Sequence, residues 1–341
     1  MIQIEDAIIR NVILHRIASE ESESIINQSL FEYSSDEDDV TLKKIFLKPF
    51  LSHAQTFEFK HDISLDYNIL YNISKGIFSG DDFIQKSGEI GQHLISSSKH
   101  PNIKDGDLFI VQFDEVKLNN KYYEALGVFK FEDKESFIET SIKDNGISFN
   151  IKKGIGSKKP DKACLILFSE EPYTILIIDN NNNDTEYWQN DFINHRSKND
   201  FVNNTNNFLT LAKEFITSQI PAEFEVTKAT QIDFLNRSVD YFKTREVFDK
   251  QEFEGEVFGD ENVIESFRSF DQSYKQEHDL ELADNFDISA HAVKKQARVF
   301  KKVLKLDKNF HIYIHGNRNL IEQGVDEKGR KFYKIYYEEE A

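Results

Sequence analysis

Between residues 107 and 180 the apolar residues change period, and this change limits the folds open to the chain. DLFIVQFDEV (107–116), YYEALGVFKFE (122–132), ACLILF (163–168) and YTILIIDN (173–180) are short runs rich in β-branched and aromatic residues. Clusters of Asn, Gly and Lys separate them, with LNNK between the first two. Such runs between turn formers predict strands, arranged as an antiparallel meander. The segments ahead of them carry a different spacing. In DYNILYNISKGIF (66–78), Ile69, Leu70, Ile73 and Ile77 recur as on one face of a helix. DDFIQKSGEIGQHLISSS (81–98) predicts a second helix, with Phe83, Ile84, Ile90 and Leu94 turned inward. Residues 2–17, rich in Ile and Val, predict a strand, and 20–40, with ESES and SSDEDD, a solvated loop or acidic helix end. TLKKIFLKPF (41–50) stops at Pro49. Helices before a sheet, rather than alternating with it, point to the α+β class.

The rest of the chain reads as mainly helical. NNNNDTEYW and FVNNTNN are loop-like, and NNFLTLAKEFITSQIP (206–221) predicts a helix ended by Pro221. A length of 341 residues suggests about two domains. The boundary is therefore expected near Pro221. Residues 1–221 would be an α+β domain with an antiparallel sheet, and 222–341 a helical domain ending in β-strands. In TKATQIDFLNRSVDYFK (227–243), Thr230 and Asp233 have capping-box spacing, and Ile232, Leu235, Val239 and Phe242 share a face. Val263, Phe267, Phe270 and Tyr274 step by four, three and four, as do Val293, Ala297, Phe300 and Leu304. Both sets predict helices packing through one seam. FHIYIHG and KFYKIYY alternate as strands, around a helix or turn at NLIEQG and a DEKG turn.

Composition sets the compartment. The single cysteine, Cys164, rules out an internal disulfide framework and fits a reducing environment. No apolar run approaches about 18 residues, so no membrane span or membrane partner is expected. The start, MIQIEDAIIRNVILHRI, lacks the apolar core and cleavage site of a secretory signal, so a cytoplasmic location is expected.

Charge is distributed unevenly. The chain has 42 basic and 60 acidic residues, a formal net charge of -18. Residues 251–287 carry twelve acids against Arg268 and Lys275, a net of -10. Residues 288–308 carry seven bases against Asp307, a net of +6. On the predicted helix, Lys294, Lys295, Arg298, Lys301, Lys302 and Lys305 lie beside and opposite the Val293–Phe300 seam, with Ser289 or Asp287 as its cap. One reading is a solvated face balanced by the acidic helix before it. The other is a phosphate-binding face giving sequence-independent attraction to DNA. A helix followed by a hairpin is similar to a winged helix, although NLIEQG interrupts that pattern. A second cluster, KKGIGSKKPDK (152–162), sets Lys152, Lys153, Lys158, Lys159 and Lys162 against Asp161. It lacks the GK[ST] of a P-loop and precedes a strand, so it reads as an exposed loop or a further phosphate contact.

Catalytic patterns are incomplete. His311 and His315 lie on a predicted strand, roughly 13 Å apart at about 3.3 Å per residue, and cannot share a metal. Cys164 sits inside an apolar strand and reads as core. No GxSxG or Cys-pair zinc motif occurs. Asp107, Asp114, Glu124 and Lys130 invite a metal-dependent nuclease reading. However, Glu124 is followed by Ala125 and Leu126, without the lysine of a Glu-x-Lys pair. A non-enzyme without metal or cofactor is expected, with the nuclease as an alternative.

Taken together, FLKPF (46–50), HPNIKDGDLFIVQF (100–113), EALGVFK (124–130), DKACLILF (161–168), QIDFLNRSVDYFK (231–243) and AVKKQARVFKKVLKLDKNFHIYIHG (292–316) resemble the 37-kDa bacterial nucleoid-associated protein family of the NdpA type. The resemblance runs over nearly the whole chain. It implies a nucleoid protein that binds double-stranded DNA and has no assigned catalytic site. It carries over no residue-level site. It favours the DNA-face reading of residues 294–305. Two other expectations stay open: an interaction module recruiting a DNA-processing protein, and a homodimer.

Overall fold

A computed structural model describes the chain except residues 1, 34, 53–54, 99–102, 144–145, 157, 181–185, 279, 298–299, 301–302, 307–309, 314–319 and 340–341. The fold is α+β and divides into two compact units, Met1–Lys198 and Asn199–Ala341. The division falls ahead of the boundary expected at Pro221, because the helix after Asp200 packs its buried side chains into the second core.

In the first unit, β1 (Ile2–Gln3) and β2 (Ile8–Ile17) lead to α1 (Asp36–Phe46), β3 (Phe57–Phe59), α2 (Ile69–Phe78) and α3 (Phe83–Ser97). The meander follows as β4 (Gly106–Leu118), β5 (Lys121–Phe131), β6 (Glu135–Lys143), β7 (Gly146–Gly154), β8 (Lys162–Leu167) and β9 (Thr174–Asp179), with a short β10 (His195–Ser197). The main sheet runs β1-β4-β5-β8-β9-β3-β10, with β2 also on β4, and its pairings are antiparallel. The sequence reading omits β6 and β7, which pair only with each other as a separate ribbon.

The main sheet is apolar on both faces. Leu108, Ile110, Leu126, Val128, Cys164, Ile166, Ile175 and Ile177 pack against α2 and α3. Val111, Phe113, Ala125, Phe129, Leu165, Leu167 and Leu176 pack against Phe46, Leu47 and Phe50. Gly127 is required where it stands: a Cβ there would lie 2.3 Å from the Phe129 ring and 3.0 Å from that of Phe113. Cys164 is fully buried, and burial pushes its thiol pKa up, as a core residue requires.

The second unit contains α4 (Phe201–Glu214), which continues through a π-turn into α5 (Ile220–Glu223), then α6 (Lys228–Thr244). β11 (Val247–Asp249), α7 (Lys250–Val257), α8 (Glu261–Glu277), β12 (Asn285–Asp287) and α9 (Ala290–Gln296) follow. Two hairpins close it: β13 (Val303–Leu306) with β14 (Phe310–Tyr313), and β15 (Ile321–Val325) with β16 (Lys331–Ile335). Phe208 sits at the centre of the core, with ring centroids of Phe248 at 4.2 Å, Phe253 at 5.0 Å, Phe242 at 5.9 Å and Phe267 at 6.0 Å. The abundant phenylalanine is used here as a network of tilted and edge-on pairs, each adding about 1 kcal/mol beyond area burial.

Three local expectations change. Thr227, not Thr230, caps α6, its side chain accepting from the Thr230 amide at 3.1 Å. Pro221 lies in the first turn of α5 instead of ending the helix; no backbone N–H is needed there. NLIEQG forms no helix over its last residues: Ile321–Val325 pairs as a strand with Lys331–Ile335 across the DEKG turn.

His15 on β2 is 1% exposed, and its Nδ1 accepts from the Asn27 amide at 3.1 Å. Burial lowers its pKa to about 4, and that of His195 likewise. Both are neutral in the fold, while the unfolded chain takes up protons below about pH 6.5. This stability is therefore complete above pH 6.5 and falls between 6.5 and 4. His15 alone should cost about 2 kcal/mol at pH 5 relative to pH 8. Thermal melts at the two pH values should show this loss, and His15→Gln should reduce the difference. An unchanged pH slope would refute the assignment.

Candidate nucleic-acid interface

Only part of the expected basic helix forms. Ser289 caps α9 by accepting from the Ala292 amide, and Ala292 and Val293 are buried beneath the exposed Lys294 and Lys295. The helix ends at Gln296. Leu304 and Lys305 lie on β13, paired with Ile312 and His311 of β14, so they do not extend the Val293–Phe300 seam. Val303–Leu306 has few enough residues for its apolar pattern to match either period, and the facing FHIY run decides for the strand. Lys305 is thus off the helix. Arg298, Lys301 and Lys302 lie outside the described residues.

Lys294 borders a cavity of about 450 Å³ with Phe242, Lys243, Arg245, Glu246, Val293 and Ala297. Its charge is mixed. Arg245 is held by Glu256 at 2.6 Å and Glu252 at 3.3 Å, and Lys243 lies 3.8 Å from Asp240. Among the described residues, Lys294 and Lys295 have no ion-pair partner.

The lysine cluster of the first unit is spread over two elements. Lys152 and Lys153 stand on β7 instead of in a loop; Lys152 pairs with Glu139 at 2.7 Å. Lys158 is drawn to Asp161 at 3.4 Å and Asp133 at 3.8 Å. Lys159 is exposed on the rim of a cavity of about 540 Å³. Lys44 and Lys48 also line it, over an apolar floor of Ile45, Pro49, Leu51 and Ile155. Among the described residues, Lys44, Lys48, Lys153 and Lys159 have no ion-pair partner.

The α1 sequence explains how Lys44 comes to this position. Ser35 caps the helix, four acids fill its first turn, and Lys43 and Lys44 occupy the last turn, matching the helix dipole. Lys43 is taken by Asp39 at 2.7 Å, which leaves Lys44 for the cavity. Sequence reasoning missed Lys44 and Lys48. FLKPF carries Lys48, but nothing in one dimension connects it with residue 159.

The possible nuclease residues do not converge. Asp107 binds Arg16 at 3.0 Å and Lys134 at 2.7 Å, while Asp114, seven residues further along β4, binds Arg10 at 2.8 Å. Glu124 shares Arg10 at 3.7 Å. Lys130 is fully buried, donating to Glu132 at 3.0 Å, to the Lys104 carbonyl at 2.8 Å and to the Tyr187 hydroxyl at 3.3 Å. Desolvation lowers its pKa from the usual lysine value. Among the described residues, no group of three or more His, Cys, Asp or Glu could hold a metal ion. His311 lies on β14, and His315 is outside the described residues.

Several acids of 251–287 are structural. Glu254 is buried and accepts from Arg268 at 2.6 and 2.9 Å. Asp260 caps α8. Asp271 is buried between Lys250 at 2.5 Å and Lys275 at 3.0 Å. These groups are committed to their own partners and cannot compete with phosphate. Asp271→Asn would leave the largely buried Lys250 and Lys275 with only the exposed Asp284, at 3.7 and 3.8 Å, and should lower unfolding stability by about 2 to 3 kcal/mol in denaturant titration. Glu261→Gln, at the exposed start of α8, should change it by less than about 0.5 kcal/mol. Equal effects would contradict the structural role of Asp271.

Compared with known proteins, residues 13–331 match the model of the NA37 family, described as nucleoid-associated protein YejK. The match covers most of the 341 residues, so the chain belongs to that family. No curated protein matches the sequence. Among the described residues, no helix is long and apolar enough to cross a membrane.

Proposed function

We propose that this member of the NA37 family is a nucleoid-associated protein that binds double-stranded DNA through phosphate contacts and does not cut it. It works in the cytoplasm, on the bacterial nucleoid. The observation carrying this reading is the convergence of Lys44, Lys48 and Lys159 on one cavity rim without ion-pair partners among the described residues. Lys153, Lys294 and Lys295 are further exposed cations of the same kind. The net charge of -18 opposes DNA at long range, but screening reduces that repulsion beyond about 8 Å at physiological salt. Contact is then governed by the cations nearest the phosphates, which read the backbone and not the base sequence.

If about five phosphates are neutralised, the logarithm of affinity for random duplex DNA should fall with log salt at a slope of about -4 to -5. Substituting glutamate at Lys44, Lys48 and Lys159 together should weaken binding by at least about tenfold and flatten that slope by about 2 to 3. All three are exposed, so the circular dichroism spectrum should not change. Unaltered affinity in the triple variant would refute this interface.

With magnesium or manganese, purified protein should leave supercoiled plasmid intact. Cleavage lost on Asp107→Ala or Glu124→Ala would instead establish a nuclease.

A second reading rests on the apolar cavity floor of Ile45, Pro49, Leu51 and Ile155, which suits a protein side chain better than a phosphate. In that case the chain recruits a DNA-processing protein. Failure of the pure protein to bind naked DNA at low salt would favour this reading.

A further inference from the structure

The ribbon of β6 and β7 has two unlike faces. Its register sets Ile138 opposite Ile151, Thr140 opposite Phe149 and Ile142 opposite Ile147. Directly opposed residues share a face, and side chains alternate along each strand, so these six lie together. The reverse face carries Phe137, Glu139, Ser141, Ser148, Asn150 and Lys152. There Lys152 pairs with Glu139, and the Ser141 and Ser148 hydroxyls meet at 2.9 Å.

The first face is both apolar and open to solvent. Ile138 is 65% exposed, Ile142 82%, Ile147 84%, Phe149 66% and Ile151 70%. A lone two-stranded ribbon is marginal in water, and a contiguous apolar patch of several hundred Å² marks an interaction surface.

We propose that this face joins two copies of the chain. Apart from Lys153 at its end, beside Ile151, the face bears no charge, so its apolar part offers nothing to a phosphate. Its five large side chains, each about two-thirds or more exposed, form a contiguous apolar patch of several hundred Å² per copy, a size that marks an interface and approaches the roughly 800 Å² per partner of a standard one. The face is also complementary to itself, as a two-fold contact requires. A two-fold axis along the ribbon sets each Phe149 over the partner's Thr140, where the small residue leaves room for the ring. At the other two levels isoleucine meets isoleucine. A ribbon needing cover in every folded molecule is best served by a partner made at the same rate, which is another copy. The contact is independent of the DNA reading.

Sedimentation of the full chain over a concentration series tests this. The wild type should be a dimer at low micromolar concentration. Ile142→Lys combined with Ile147→Lys should weaken association at least about 100-fold, because each lysine would have to be desolvated in the contact. Both positions are more than 80% exposed in the single chain, so the substitutions leave its fold intact. Asn150→Lys, on the reverse face, should remain a dimer. The proposal is overturned by a wild type monomeric to about 100 µM, well above the association expected of a standard interface. It is also overturned if the double-lysine variant dimerises like wild type, or if Asn150→Lys disrupts association equally. A monomeric wild type whose DNA affinity falls in the double-lysine variant would overturn it too, moving this face to DNA.

Discussion

Two buried lysines on neighbouring strands set the register of the first unit. Lys130 of β5 lies directly opposite Lys162 of β8, and Lys162 opposite Asp179 of β9. Both ammonium groups are almost completely buried, 5.6 and 5.2 Å from the Tyr187 ring centroid. Lys130 is neutralised by Glu132 at 3.0 Å and Lys162 by Asp179 at 2.9 Å. Such pairs give little net stability, because desolvation offsets most of the attraction. Their consequence here is specificity. A sheet apolar on one face loses its pattern when a strand slips by one residue. This sheet is apolar on both faces, so the same slip would bury similar surface. Slipping β8 against β9 would, however, part Lys162 from Asp179 and leave a buried charge unpaired, at a cost of several kcal/mol, and slipping β5 would carry Lys130 away from Tyr187 and the Lys104 carbonyl. Charge therefore fixes what hydrophobicity leaves open.

The same logic clarifies the acidic excess. A net charge of -18 suggests a surface unfit for DNA, yet some acids counted in it are internal partners. Asp161 accepts from the Glu132 amide at 2.8 Å, Glu58 holds Arg196 at 2.8 Å, and Asp271 lies between two lysines. Paired in this way, these carboxylates add little to the local field around them, although the net charge stays at -18. Under the proposed function, Lys44, Lys48 and Lys159, without ion-pair partners among the described residues, would act over the short range that matters for phosphate contact.

Much of the fold was legible in the sequence because local pattern and burial agree. The four runs of the meander, the helices at 66–78 and 81–98, and the seam of Val263, Phe267, Phe270 and Tyr274 correspond to β4, β5, β8, β9, α2, α3 and α8. The failures share a physical form. Leu304 continued a helical spacing by coincidence, and pairing with Ile312, a tertiary contact, overrode it. The ribbon of 135–154 alternates as strands should, but its apolar face meets no core, so the run is less apolar than the core strands on either side of it. The candidate site was legible only in part. Lys159 stood out as one of a cluster, whereas Lys44 and Lys48 reach the same cavity only through the fold.

The ribbon and the lysines bear on one another through valence. Three convergent lysines, with a few single ones, give a weak electrostatic footprint on an acidic chain. Non-specific binding grows with the number of phosphates neutralised together, since each releases counterions. In the proposed dimer, two copies joined at the ribbon would double that number on one duplex, and the second engagement would become intramolecular, with an effective concentration set by geometry. Overall affinity would then rise by orders of magnitude without an added cation. A protein assembled in this way can keep each copy acidic and discourage promiscuous contacts of the monomer. It would bind firmly only where duplex DNA presents phosphates to both copies at once.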